Sequence, residues 1–214
     1  MIEYLCQQSG KLYNTGIYFA RQTFFKTGKL LTGKFDLAFE PSVSKSLLAQ
    51  SMPSTPMQQT LMSVTESFKS FKNLRDLHKK GQLHFRPKPP GYLKGSKLFK
   101  VAYPNSGGQR PTLIDGQLRF SLGLTVKRWF GVSEFFLSMP SNLDYSTVKE
   151  FTILPKNGAF YLEMSYEVKS LASIKKEFPK VSIQAAKLSA VPKSIDKALL
   201  ISNSWFCFSS NYPD

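Results

Sequence analysis

Apolar residues recur at helical spacing in two long stretches, then switch to short alternating runs. Between residues 2 and 25 the apolar positions Ile2, Cys6, Tyr13, Ile17, Ala20 and Phe24 keep a helical period until Thr27 and Gly28 interrupt it. A first helix is expected there. Residues 30–50 are broken by Gly33, Pro41 and several serines, with room for a short helix around Lys45–Gln50. From Thr55, the positions Met57, Leu61, Val64, Phe68, Phe71 and Leu74 again recur three and four apart. This second long helix has a written start, with Thr55 as N-cap, Pro56 at N1 and Gln58 as capping-box partner. Lys79, Lys80 and Gly81 supply the stop. Phe68 and Phe71 are read as core, because apolar spacing accounts for them without base stacking.

The prolines and glycines of residues 86–97 forbid a continuous helix and would unpair a central strand, so this stretch is expected to be extended surface chain. Beyond it the runs shorten and become aromatic or β-branched: Leu98–Tyr103, Gln117–Leu122, Leu124–Trp129, Glu134–Leu137, Lys149–Leu154 and Ala159–Val168. Asn157-Gly158 is a hairpin turn between the last two, both residues tolerating positive φ. The pattern predicts an α+β protein with a helical part over 1–84 and a small antiparallel sheet or barrel over 85–169. The tail over 170–214 carries only weak amphipathic fragments and is expected to be poorly ordered.

Charge sharpens this picture. The chain carries a net +15 over 214 residues. Residues 55–100 hold ten cations, Lys69, Lys72, Arg75, Lys79, Lys80, Arg86, Lys88, Lys94, Lys97 and Lys100, against only Glu66 and Asp76. Residues 101–169 are nearly balanced, seven basic to six acidic, as expected of scaffold. A basic stretch interleaved with aromatics and prolines favours a nucleic acid over a membrane surface. The stripe of Lys69, Lys72 and Lys79 is either an ordinary solvated face, which Asp76 supports, or a set of phosphate contacts, which the basic loop beyond it favours. Gln59 either helps to cap the helix or reaches an adenine edge through its paired donor and acceptor. Tyr92 either offers a stacking platform or folds back onto the sheet. With no run of 18 apolar residues and no basic-then-apolar leader, the chain is expected to stay in the cytoplasm without a membrane partner. Cys6 and Cys207, with His78 and His84, make neither a disulfide framework nor a metal site, and the cysteines are read as buried or inert thiols.

Three groups of residues resemble the N-terminal half of TnpB-type proteins, the transposon-encoded RNA-guided DNA nucleases also called OrfB and related to type V CRISPR effectors. They are Met52-Pro53-Ser54 with Gln58-Gln59 and Phe68-Lys69-Ser70-Phe71; Lys88-Pro89-Pro90-Gly91-Tyr92-Leu93-Lys94; and Phe151-Thr152-Ile153-Leu154-Pro155-Lys156 with Phe160-Tyr161 and Tyr166-Glu167-Val168. The likeness covers about residues 2–169. It implies a helical recognition lobe inserted in a β-barrel wedge domain, with guide RNA and target DNA as partners; no cofactor and no small-molecule substrate are expected of this chain. The binding residues would be Gln59, Tyr92 and the ten cations of residues 55–100.

The family's chemistry requires an Asp, Glu, Asp cluster holding two metal ions. Ile183-Gln184 and Ser194-Ile195-Asp196 do not reproduce its first Ile-Asp-x-Gly strand end, and no zinc ribbon follows. The chain is therefore expected to be a binding fragment with no catalytic or metal-ligating residues, starting directly in the first helix and ending in a tail unlike the family. The alternatives are a nuclease subunit completed by a separate RuvC chain, and a basic protein that binds acidic protein partners.

Overall fold

The computed structural model describes residues 1–95, 97–105 and 108–167, together with the backbone of a strand at Phe206–Phe208. Two 26-residue helices dominate: α1 (Ile2–Thr27) and α4 (Ser54–Lys79), with short α2 (Pro41–Ser44) and α3 (Leu47–Gln50) between them. Gly28 ends α1 in the left-handed conformation at φ 71°, which a glycine adopts without steric cost. Gly81 does the same after α4: its N–H reaches the His78 carbonyl while the Gln82 N–H reaches Leu77. These two bonds form a Schellman stop.

The start of α4 differs from the expected capping box. Pro53 is the N-cap residue and makes no side-chain cap. The Thr55 N–H, one of the unsatisfied first-turn donors, is instead taken by Gln109 Oε1 at 3.0 Å. A distant side chain caps the helix, so Thr55 and Gln58 are not needed for it.

Both helices bury the faces their periodicity announces. Leu61, Val64, Phe68 and Phe71 of α4 are buried and Leu74 is partly exposed, with Lys69, Lys72 and Lys79 outside. Gly16 lets the helices approach closely, since a Cβ there would lie 3.1 Å from Val64 and 3.3 Å from Leu61. The first two turns of α1 belong to a different core: Leu5 and Cys6 pack with the strands, whereas Leu12, Ile17 and Ala20 pack with Leu61, Val64 and Phe68. One helix thus anchors both halves of the molecule.

The strands form two sheets. β1 (Val101–Pro104), β5 (Val148–Lys156), β6 (Ala159–Tyr166) and β7 (Phe206–Phe208) are ordered β1-β5-β6-β7. β2 (Thr112–Ile114), β3 (Gln117–Ser121) and β4 (Glu134–Ser138) form the second sheet, and every pair is antiparallel. The β5–β6 hairpin turns at Asn157-Gly158, φ 53° and 75°, as expected; Asp115-Gly116, φ 47° and 74°, does the same for β2–β3. Phe120 joins the sheets, edge-on to Tyr103 and Phe151 and stacked on Phe135 at 4.9 Å.

The α+β class is as expected, but the barrel is not closed. Leu98–Lys100 do not extend β1, because their backbone is committed to α1: the Phe99 N–H donates to Cys6 O at 3.1 Å and Ser9 Oγ donates to Lys100 O at 2.8 Å. Helix packing takes the place of further strand pairing. The expected strand over Leu124–Trp129 is also corrected. It is a short helix, α5 (Leu124–Phe130), entered from an extended Gly123 and ended by Gly131 at φ 69°. Strand β2 has no counterpart in the expected runs. Apart from the Phe206–Phe208 backbone, the expectation of a poorly ordered tail falls outside the described residues. Among the described residues, no helix is long and apolar enough to cross a membrane.

Candidate nucleic-acid interface

The described residues between α4 and β1 form no helix or strand of their own, in keeping with the prolines there. Pro87, Pro89 and Pro90 lack N–H donors, so this segment cannot hold itself by a backbone ladder. Helix α1 holds it instead. Arg21 Nη1 donates to Pro90 O at 2.9 Å, and Asn14 Oδ1 accepts the Leu93 N–H at 2.8 Å. Further along, the Lys97 carbonyl lies against Gly10, where an added Cβ would come within 1.7 Å of its oxygen. The rings of Tyr13 and Phe99 meet at 4.4 Å. The basic loop therefore runs back along α1 from its C-terminal end towards its N-terminal end.

Where this loop leaves α4, it encloses a cleft of about 620 Å³ with the last turns of both long helices. Phe24, Phe25 and Phe71 supply its aromatic surface; Arg75, His78, Lys79, Arg86 and Lys88 supply its polar wall, with Pro87 and Pro89 beside them. Among the described residues, no carboxylate lines it. Phe71 is buried, as expected of a core residue, while Phe25 is 61% exposed. The Arg75 guanidinium carbon stands 5.9 Å from the Phe24 ring and 6.0 Å from Phe71, within cation–π reach, and its buried Nε has no hydrogen-bond partner. His78 Nδ1 lies 3.1 Å from the Leu83 carbonyl. A carbonyl only accepts, so this nitrogen carries the hydrogen and donates it.

Four of the expected binding residues, Arg75, Lys79, Arg86 and Lys88, thus meet in one cleft. Lys69, Lys72, Lys80, Lys94, Lys97 and Lys100 are exposed but do not line it. Gln59 is half-buried 16 residues before Arg75 on α4, about 24 Å along the helix axis. Tyr92 is exposed and does not line the cleft; Arg21 lies 5.9 Å from its ring and 5.3 Å from that of Phe25. Arg21 thereby links the loop to the rim of the cleft. Among the described residues, the ion pairs are Arg119–Glu134 and Lys149–Glu167; none of the ten cations of residues 55–100 joins one.

Phe24, Phe25, Arg21 and His78 were not among the expected binding residues. Their proximity depends on α1 and α4 ending beside one another, a long-range fact; the local signal was Arg21 four residues before Phe25. The remaining reactive group, Cys6, is buried, and that burial, aided by Glu3, pushes its thiol up to about 12. It stays protonated near neutral pH and packs as an apolar residue. The side chain of Cys207 lies outside the described residues. No protein-family model matches the chain, and no curated protein is detectably similar to it.

Proposed function

We propose that this protein binds nucleic acid through the C-terminal half of α4 and the loop that follows it, as the resemblance to TnpB/OrfB-type RNA-guided nucleases implies. Its partners on this reading are a guide RNA and the target DNA, and it acts by binding without cleaving. The observation that carries the reading is the cleft in which Arg75, Lys79, Arg86 and Lys88 converge beside three phenylalanines with no carboxylate among the lining residues. Cations outside the ion pairs of the described residues suit phosphates, and aromatic rings beside them suit bases better than carboxylates. The absence of the family's Asp-x-Gly strand end from the sequence supports binding without cleavage.

The test is binding of the purified chain to labelled RNA and duplex DNA over a salt series, with Mg²⁺ or Mn²⁺ added to a parallel cleavage assay. Tight, salt-sensitive binding without cleavage is expected. Salt-insensitive binding, or cleavage that persists through further purification and is lost on chelation, would overturn the reading.

A further inference from the structure

We infer that the cleft between the ends of α1 and α4 receives an unpaired nucleotide, its base against Phe25 and Phe24 and its phosphates among Arg75, Arg86 and Lys88. The inference rests on the proposed nucleic-acid reading and narrows it to single-stranded ligand. An exposed cationic face alone would serve any polyanion, including a duplex. This cleft adds something a duplex cannot use: aromatic rings set inside a recess, where the π-faces of bases already stacked in a helix are out of reach.

The three rings do different work. Phe71 is 6% exposed and forms the floor, meeting Phe24 edge-on at 5.8 Å. Phe24 leads to Phe25, whose ring lies 5.3 Å away and is 61% exposed. A large aromatic side chain left that open gains little from folding, yet offers a face to a planar ligand. Arg21 steadies this ring from α1 while holding the Pro90 carbonyl, so the loop that closes the cleft and the residue proposed to stack share one anchor. Arg75 makes no side-chain hydrogen bond to the described residues. Poised over Phe24 and Phe71, its guanidinium remains available for a phosphate. A volume of about 620 Å³ is in the range of small-ligand clefts. A nucleotide matches this arrangement because it carries a planar π-system and an anion on one flexible unit; an acidic peptide brings the charge without the planar face.

The experiment uses the full chain, with single-stranded RNA and DNA oligonucleotides of one sequence containing 2-aminopurine, and a duplex of the same length as reference. Fluorescence quenching on binding reports stacking of the unpaired base, and comparison of the two strands identifies which nucleic acid supplies it. Phe25→Ala should weaken single-strand binding about 5- to 100-fold and remove most of the quenching, while duplex binding stays within about twofold. Phe25→Trp, which keeps a stacking face, should restore both affinity and quenching. The salt slope should stay unchanged in both variants, since no charge is removed. If Phe25→Ala leaves the single strand unaffected, or weakens strand and duplex alike, the inference fails while general nucleic-acid binding stands. If the unaltered chain binds neither, both readings fail. Displacement of the strand by poly-glutamate at equal charge concentration would also overturn the inference.

Discussion

The two ends of α1 lead into regions that treat charge in opposite ways. At the N-terminal end, Leu5 and Cys6 enter the sheet core, and Arg110, Arg119 and Lys149 around that core have partners. Arg119 pairs with Glu134 and Lys149 with Glu167, while the Arg110 guanidinium lies 4.1 Å above the Tyr145 ring and donates to the Tyr145 carbonyl at 3.1 Å. At the C-terminal end, Phe24 and Phe25 enter a cleft whose cations meet no carboxylate of the described residues. Exposed ion pairs contribute only about 0–1 kcal/mol each, so pairing does little for stability at the first end and its absence costs little at the second. Crowding like charges is nevertheless unfavourable in the free protein, and binding of a polyanion offsets that repulsion. On the proposed reading, the sheets are scaffold and the cleft does the recognition.

That contrast can be broken most severely in the shared core. Phe120 is fully buried between the sheets, so Phe120→Ala should cost about 3–5 kcal/mol of stability by urea unfolding. Phe25→Ala, at an exposed cleft position, should stay within about 0.5 kcal/mol. A loss below about 1 kcal/mol at Phe120 would mean that the sheets do not share the packed core described.

The next largest effect is expected where the two regions are joined. Gly10→Ala sets a Cβ against the Lys97 carbonyl, a backbone group that no rotamer change can move aside. Overpacking of this kind costs about 1–3 kcal/mol, and here it should also loosen the basic loop. Hydrogen exchange at Phe99, whose N–H bonds to Cys6, measures that loosening; unchanged protection would place the loop's anchor elsewhere.

The smallest effect concerns acid stability of the scaffold. Hydrogen bonds from the Ser146 hydroxyl and N–H hold Asp144 below its usual carboxylate range, and the Lys149 ammonium does the same for Glu167. Both folded values lie below the unfolded ones, so this stabilisation is complete above the ordinary carboxylate range and is lost as pH falls through the lowered values. Asp144→Asn should slightly flatten the acid limb of the stability profile without affecting nucleic-acid binding at neutral pH. Unfolding midpoints measured between neutral and acid pH check this.

Local pattern revealed both long helices, the glycine that ends each, the proline-rich segment and the β5–β6 hairpin, because neighbouring residues decide those features. It failed where distant residues decide. Leu124–Phe130 contains β-branched and aromatic residues, yet Gly123 and Gly131 frame it as a helix, and a Cβ on Gly123 would lie 3.1 Å from Met52 O. The first turn of α4 is capped from Gln109, 54 residues away, which local capping rules do not anticipate. Strand β2 is short and exposed along its whole length, so it lacks the alternation that marks a half-buried strand, and the Asp115-Gly116 turn that ends it was not read from the sequence either. The basic half of the cleft was legible as charge density. Its aromatic half was not, since Phe24 and Phe25 fit an ordinary helix end until α4 and the loop are placed beside them.

The most direct test of the central claim is the salt dependence of binding after equal charge is removed from each region. Arg86, Lys88, Lys94 and Lys97 changed together to Gln should reduce the slope of log K against log salt by roughly 1.5 to 3 units on single strands, at about 0.7 per lost phosphate contact. Lys127, Arg128, Lys149 and Lys156 changed to Gln remove as many cations from the sheet region and should alter the slope by less than about one unit. Equal losses from the two sets would contradict the account, because the nucleic acid would then be sensing only the protein's net charge.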